Sequence, residues 1–91
     1  MKIYFRGTKI ELIDNTDNQN ERRLFILAET FERDYVFQMI IIEGYHAGQC
    51  LGYIKVELGL GQKVSGVTYT HLLSELKRNI IFDENSLRIL E

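Results

Sequence analysis

The chain has 91 residues, 45% of them hydrophobic and 26% charged, with a formal net charge of −2. A stretch of that length holds one core, which excludes a second domain or a separate catalytic module within residues 1–91, and the composition is that of a folded globular chain rather than a disordered one. The charge is too small to exclude a nucleic acid or to demand a basic partner, but it is unevenly spread: residues 1–30 and 61–91 each cancel, and the deficit lies in residues 31–60, where Glu32, Asp34, Glu43 and Glu57 face only Arg33 and Lys55.

No apolar run approaches the roughly 20 residues that cross a bilayer. The N-terminal "MKIYFRGTKIEL" meets Arg6 too early for a secretory signal. One cysteine cannot form an intramolecular disulfide. The expectation is a cytoplasmic protein with no membrane partner.

In chain order, Lys2–Arg6 and Lys9–Ile13 alternate apolar and polar residues, as strands covered on one face do. The Gly7-Thr8 break leaves open whether they pair or form one bent strand. Asp14–Glu21, "DNTDNQNE", has no apolar residue and reads as a loop. Arg23–Glu29 is continuously apolar from Leu24 to Ala28, too short a run for a useful helix, and is expected to be a buried strand. Arg33–Gly44 carries Tyr35, Val36, Phe37 and three successive isoleucines, whose branching favours extended backbone, and is expected to be a central strand apolar on both faces. "CLGYIKVEL", Cys50–Leu58, restores alternation, with Cys50, Gly52, Ile54, Val56 and Leu58 facing one way. Gly59–Gly66 is a connection.

Beyond it the period changes. Tyr69, Leu72, Leu73, Leu76 and Ile80 recur at spacings of three and four, the stripe of an amphipathic helix that shows Ser74, Glu75, Lys77 and Arg78 on its other face. Thr68 or Thr70 can cap its start, and Lys77 and Arg78 suit its C-terminal dipole. "DENS", Asp83–Ser86, reads as a turn before a last short strand, Leu87–Leu90. The whole predicts a single α+β domain over 1–91: an antiparallel β-sheet of at least four strands with one amphipathic α-helix, in the C-terminal half, packed on one face. The second face of the central strands then needs a cover, which sheet curvature, a long loop, a dimer partner or a binding partner can supply.

The glycine-rich stretch "IIIEGYHAGQCLGYIKVELGLG" is the place to look for chemistry. It lacks the lysine and Ser/Thr that close a phosphate loop, and a strand rather than a helix follows. His46 and Cys50 are two ligands where a structural zinc site takes four and a catalytic one three. As a nucleophile–base pair they have no supporting context, and free cysteine behaves mostly as a small hydrophobe. Arg22-Arg23 and Lys77-Arg78 are isolated pairs, which argues against direct nucleic-acid binding. The reading is therefore of no catalytic residue, cofactor or metal, and of a glycine bend that displays Tyr45 and His46 for contact.

The segments "YVFQMIIIEGYHAGQC" and "VTYTHLLSELKRNIIFDENSLRILE" resemble a group of small immunity proteins from bacterial contact-dependent growth inhibition systems. The resemblance implies a cytoplasmic protein whose partner is one cognate toxin domain, often a nuclease, bound so as to block its active site or a surface that it needs. A docking face is expected from the local charge excess beside displayed aromatics: Tyr45 and His46 of the bend, Glu29, Glu32, Asp34, Glu43 and Glu57, and Tyr53. The rival reading is a small homodimeric structural module, in which the two-sided apolar strand meets its copy across a twofold axis.

Overall fold

The computed structural model describes residues 2–60 and 65–90. Its elements are β1 (Ile3–Phe5), β2 (Lys9–Asp14), β3 (Glu21–Ala28), β4 (Tyr35–Ile41), β5 (Cys50–Lys55), β6 (Gly66–Thr68), α1 (Tyr69–Asn79) and β7 (Phe82–Leu90), with a 3₁₀ turn at Thr16–Asn18. Among the described residues, five strands form an antiparallel sheet in the order β5-β4-β3-β2-β7, and β1 pairs with β6 in a second, two-stranded sheet. The fold is α+β, with the helix in the C-terminal half as expected. No helix is long and apolar enough to cross a membrane.

The core follows from strand alternation. Ile10 and Leu12 of β2, Phe25 and Leu27 of β3, Phe37 and Met39 of β4 and Ile54 of β5 point to one face, where Leu72 and Leu76 of α1 and Val67 of β6 close over them. All ten are at most 1% exposed. Truncating a side chain such as Leu72 in this setting costs about 2–5 kcal/mol, because transfer and cavity penalties add.

Four details differ from the alternation read in the sequence. β1 and β2 neither pair nor continue one another: β1 turns away at Gly7 (φ 91°) to pair with β6, a strand lying in what reads as a connection. Of that connection, residues 61–64 lie outside the described residues. β5 ends at Lys55, and its register slips at Leu51, since Ile40 pairs with Cys50 while Met39 pairs with Gly52. The slip sends Leu51 toward the core and Cys50 to the opposite face, and Val56 and Leu58 lie exposed beyond the strand. Asp83–Ser86 keeps its turn chemistry inside β7, where it forms a bulge: Glu11 pairs with Arg88 and Ile13 with Asp83, the Asn85 N–H donates to Asp83 Oδ1, and the Ile13 N–H donates to Ser86 Oγ. Finally, Glu75 does not lie on the wet face of the helix but is buried.

Glu75 shows how α1 is held. β5 is an edge strand, so alternate backbone groups have no strand partner, and α1 supplies one for three of them. Glu75 Oε1 accepts the Lys55 N–H at 2.6 Å, His71 Nε2 donates to the Lys55 carbonyl at 2.8 Å, and Asn79 Nδ2 donates to the Tyr53 carbonyl at 3.1 Å. Arg78 completes the Glu75 carboxylate at 3.0 and 3.1 Å. Burial pushes the Glu75 carboxyl up, but the Arg78 guanidinium and the Lys55 N–H together outweigh it and hold the group below its ordinary value. The start of the helix is fixed similarly: Thr68 Oγ1 accepts the His71 N–H at 3.3 Å and donates to Glu57, whose carboxylate also takes the Thr68 N–H at 2.7 Å.

Two outcomes follow. Gly52 sits at φ 154°, and a Cβ there would lie 2.3 Å from Asn79 Oδ1, so Gly52→Ala is expected to lower unfolding free energy by about 1–3 kcal/mol through strain and a pushed-off Asn79. A urea titration unchanged from the parent would contradict this packing. Glu75→Gln is expected to cost about 1.5–3 kcal/mol at pH 7, the loss of charge-assisted bonds. Because the folded carboxyl titrates below its unfolded value, its contribution is full above about pH 4.3 and disappears as pH falls through the folded pKa. The stability gap between parent and Glu75→Gln should therefore narrow in urea titrations from pH 7 down to pH 3.

Candidate interaction surface

The bend between β4 and β5 is a backbone-bonded turn. The Gly48 N–H donates to the Ile41 carbonyl at 2.7 Å, the Ala47 N–H to Gly44 at 3.1 Å and the Gln49 N–H to His46 at 3.0 Å, with Gly44 and Gly48 at φ 87° and 93°. Tyr45 projects from it, 96% exposed, and meets the His46 ring edge-on at 5.2 Å. His46 folds back over the helix side, lining an open hollow of about 380 Å³ with Asp14, Glu21, Arg23, Leu51 and Asn79. Its Nδ1 is buried with no hydrogen-bond partner among the described residues. Cys50, paired with Ile40, lies on the opposite face, so the two side chains do not form a nucleophile–base pair. Asp14, also in the hollow, is already engaged by the Thr16 N–H at 2.8 Å and by Arg23 at 3.4 Å. Among the described residues no three His, Cys, Asp or Glu side chains converge to hold a metal ion.

The other end of β4 begins in the β3–β4 loop, and seven strand residues put about 20 Å between the two loops. Glu29 is ion-paired with Arg6. Thr30 Oγ1 accepts the Glu32 N–H at 3.1 Å, and Asp34, at φ 72°, offers its carbonyl to the Val56 N–H at 3.1 Å. Held between these bonds, Phe31 touches almost nothing and is fully exposed. Glu32 and Asp34 follow it in the same loop. Sequence reasoning passed over this residue, although the signal is there: in "AETFERDY" Phe31 is the lone apolar residue between Ala28 and Tyr35, where burial cannot be its reason for being aromatic.

The eight residues expected to form one docking face fall into three places. Glu29, Glu32 and Asp34 share the β3–β4 end, and Glu32 acts on Tyr53, whose ring packs 5.2 Å from that of Tyr35. Glu43, Tyr45 and His46 sit at the far end, where Arg22 bridges Glu43 (3.1 Å) and Glu11; the hydrogen bonds that it donates to Glu11 first, then to Glu43, hold that guanidinium more firmly protonated. Glu57 faces the helix start and is occupied by Thr68. The surface with aromatic reach and with carboxylates that no ion pair occupies among the described residues is thus the β3–β4 tip, with Phe31, Glu32 and Asp34, continued by Tyr35 and Tyr53. No family model, curated protein or solved structure matches the chain.

The Tyr53 hydroxyl is pushed above its ordinary value first by the charge of the neighbouring Cys50 sulfur, then by partial burial and by Glu32. Cys50→Ser removes the first cause. The Tyr53 midpoint, followed by its ring resonances in NMR, should move down toward about 10; an unmoved midpoint would mean that the thiol and the phenol do not meet.

Proposed function

We propose that the protein is an immunity protein: in the cytoplasm it binds the toxin domain of a contact-dependent growth inhibition system and neutralises it by covering the toxin's active or substrate-binding surface. The observation that carries this reading is Phe31. A fully exposed phenylalanine on a loop pinned by its own hydrogen bonds, followed by two carboxylates, Glu32 and Asp34, that no ion pair occupies among the described residues, has the make-up of an interface anchor. Such an anchor suits an apolar pocket rimmed by lysine or arginine, a surface that a nuclease offers where it holds phosphate. Polar groups with the chemistry for other roles are spent on the fold: Glu75, His71 and Asn79 on β5, and Glu57 on Thr68. The resemblance of "YVFQMIIIEGYHAGQC" and the C-terminal third to immunity proteins points the same way.

The test is co-expression with the toxin domain encoded beside this chain, scored by growth, and titration of the purified pair. The parent should restore growth and bind. Phe31→Ala should weaken binding by about 30-fold or more, the loss of a central anchor. Glu32→Lys with Asp34→Lys should slow association by about tenfold or more at low salt and much less at high salt. Growth that stays arrested in the presence of folded parent protein would refute the reading, and full protection by Phe31→Ala would move the interface elsewhere.

A further inference from the structure

Among the described residues, three that are not glycine take a left-handed backbone: Asp17 (φ 62°) and Asn18 (φ 59°) in the 3₁₀ turn, and Asp34 (φ 72°) in the β3–β4 tip. Asp34 is the third residue of the turn Glu32–Tyr35, which the Tyr35 N–H closes on the Glu32 carbonyl at 3.4 Å. Glycine fills a positive φ at that place most easily and asparagine next, because a β-carbon there crowds the following carbonyl. The fold makes no use of what aspartate has and asparagine lacks. The bond that the Val56 N–H donates at 3.1 Å goes to the Asp34 carbonyl, which any residue supplies, whereas the carboxylate takes no hydrogen bond or ion pair among the described residues. Asp14 shows the contrast, its carboxylate engaged by the Thr16 N–H and by Arg23.

We infer that Asp34 is a specificity-determining residue whose carboxylate meets a lysine or arginine of the toxin beside the pocket that receives Phe31. The inference rests on the reading of the chain as an immunity protein and names the charge that selects the partner. Asp34 is exposed three residues from Phe31, in a loop held at one end by Gln38 Nε2, which donates to the Glu29 carbonyl at 2.7 Å, and at the other by the Val56 bond. The closed turn therefore sets the carboxylate in direction as well as in place. An apolar anchor alone separates one apolar pocket from another poorly. A carboxylate fixed beside it rejects a pocket whose rim is neutral or acidic, since there the charge stays unpaired or is repelled. Backbone strain that no contact inside the fold repays is a mark of binding sites, and here it accompanies an exposed aromatic side chain.

The expected signature is a more stable protein that binds less well. In thermal melts without toxin, Asp34→Gly should raise the midpoint by about 2–5 °C and Asp34→Asn by less, through relief at the left-handed position. In titrations against the toxin domain encoded beside this chain, both should bind about tenfold more weakly than the parent at low salt, with a smaller difference at high salt. Asp17→Gly, at the opposite end of β3, is the control: it should gain similar stability and bind like the parent. A parent that binds the toxin together with an Asp34→Asn that binds equally well would overturn the inference and leave the immunity reading standing. A midpoint of Asp34→Gly at or below that of the parent would overturn it without any toxin. A folded parent that does not bind the toxin refutes the immunity reading, and this inference falls with it.

Discussion

The structure depends on the way α1 is fastened to the edge of β5. An edge strand exposes backbone donors and acceptors at every second residue, and here three helix side chains take three of those groups: Glu75 the Lys55 N–H, His71 the Lys55 carbonyl and Asn79 the Tyr53 carbonyl. This fixes the rotation of the helix about its axis, which directs Leu72 and Leu76 onto Phe25, Phe37 and Ile54. It also explains Gly52, since Asn79 approaches the strand where any side chain would stand. The hydrophobic stripe supplies most of the adhesion, and the polar fastening supplies the register. Each needs the other, because a buried carboxylate without Arg78 and Lys55 would cost more than the packing around it returns.

The same economy of polar groups sorts the molecule into a closed side and an open one. On the helix side ionisable residues are held in pairs or by backbone: Glu75 with Arg78, Asp14 with Arg23, Glu57 with Thr68. On the sheet's other side aliphatic side chains and two tyrosines lie half-covered, and the loop tips carry Phe31 and Tyr45 into solvent. That division is what a protein acting by contact requires. The helix side is spent on the fold itself, and the displayed part hangs from strand ends that it holds in place.

Period-based reading recovered the parts of the fold in which neighbours along the chain decide the outcome. β2, β3, β4 and α1 lie where alternation, β-branching and the three-and-four spacing put them, and of the two threonines that could cap the helix, Thr68 and Thr70, it is Thr68 that does. It failed where a partner distant in sequence decides. β6 is extended because Ile3 and Tyr4 pair with it, and nothing in "SGVT" announces that. The slip at Leu51 reverses the face of Cys50, an effect that a strict period of two cannot contain. Glu75 looked solvent-exposed because its reason for burial, a backbone N–H on Lys55, is invisible to side-chain pattern. The docking residues were chosen by charge and proximity in sequence, yet β4 carries Glu32 and Glu43 to opposite ends of the sheet. Phe31 was legible in principle, as an aromatic residue with no apolar company.

The bulge in β7 has a consequence for behaviour at high concentration. With β5 latched by the helix, β7 is the margin of the sheet at which another chain might add a strand and seed a fibril. Between Asp83 and Arg88 the chain leaves the ladder to wrap Asp83 and Ser86 around Ile13, so only its last few residues stay straight enough to template an incoming strand. Three such residues, Arg88–Leu90, are too few to hold a stacked, self-propagating array. The kink thus works as a stop on open-ended growth.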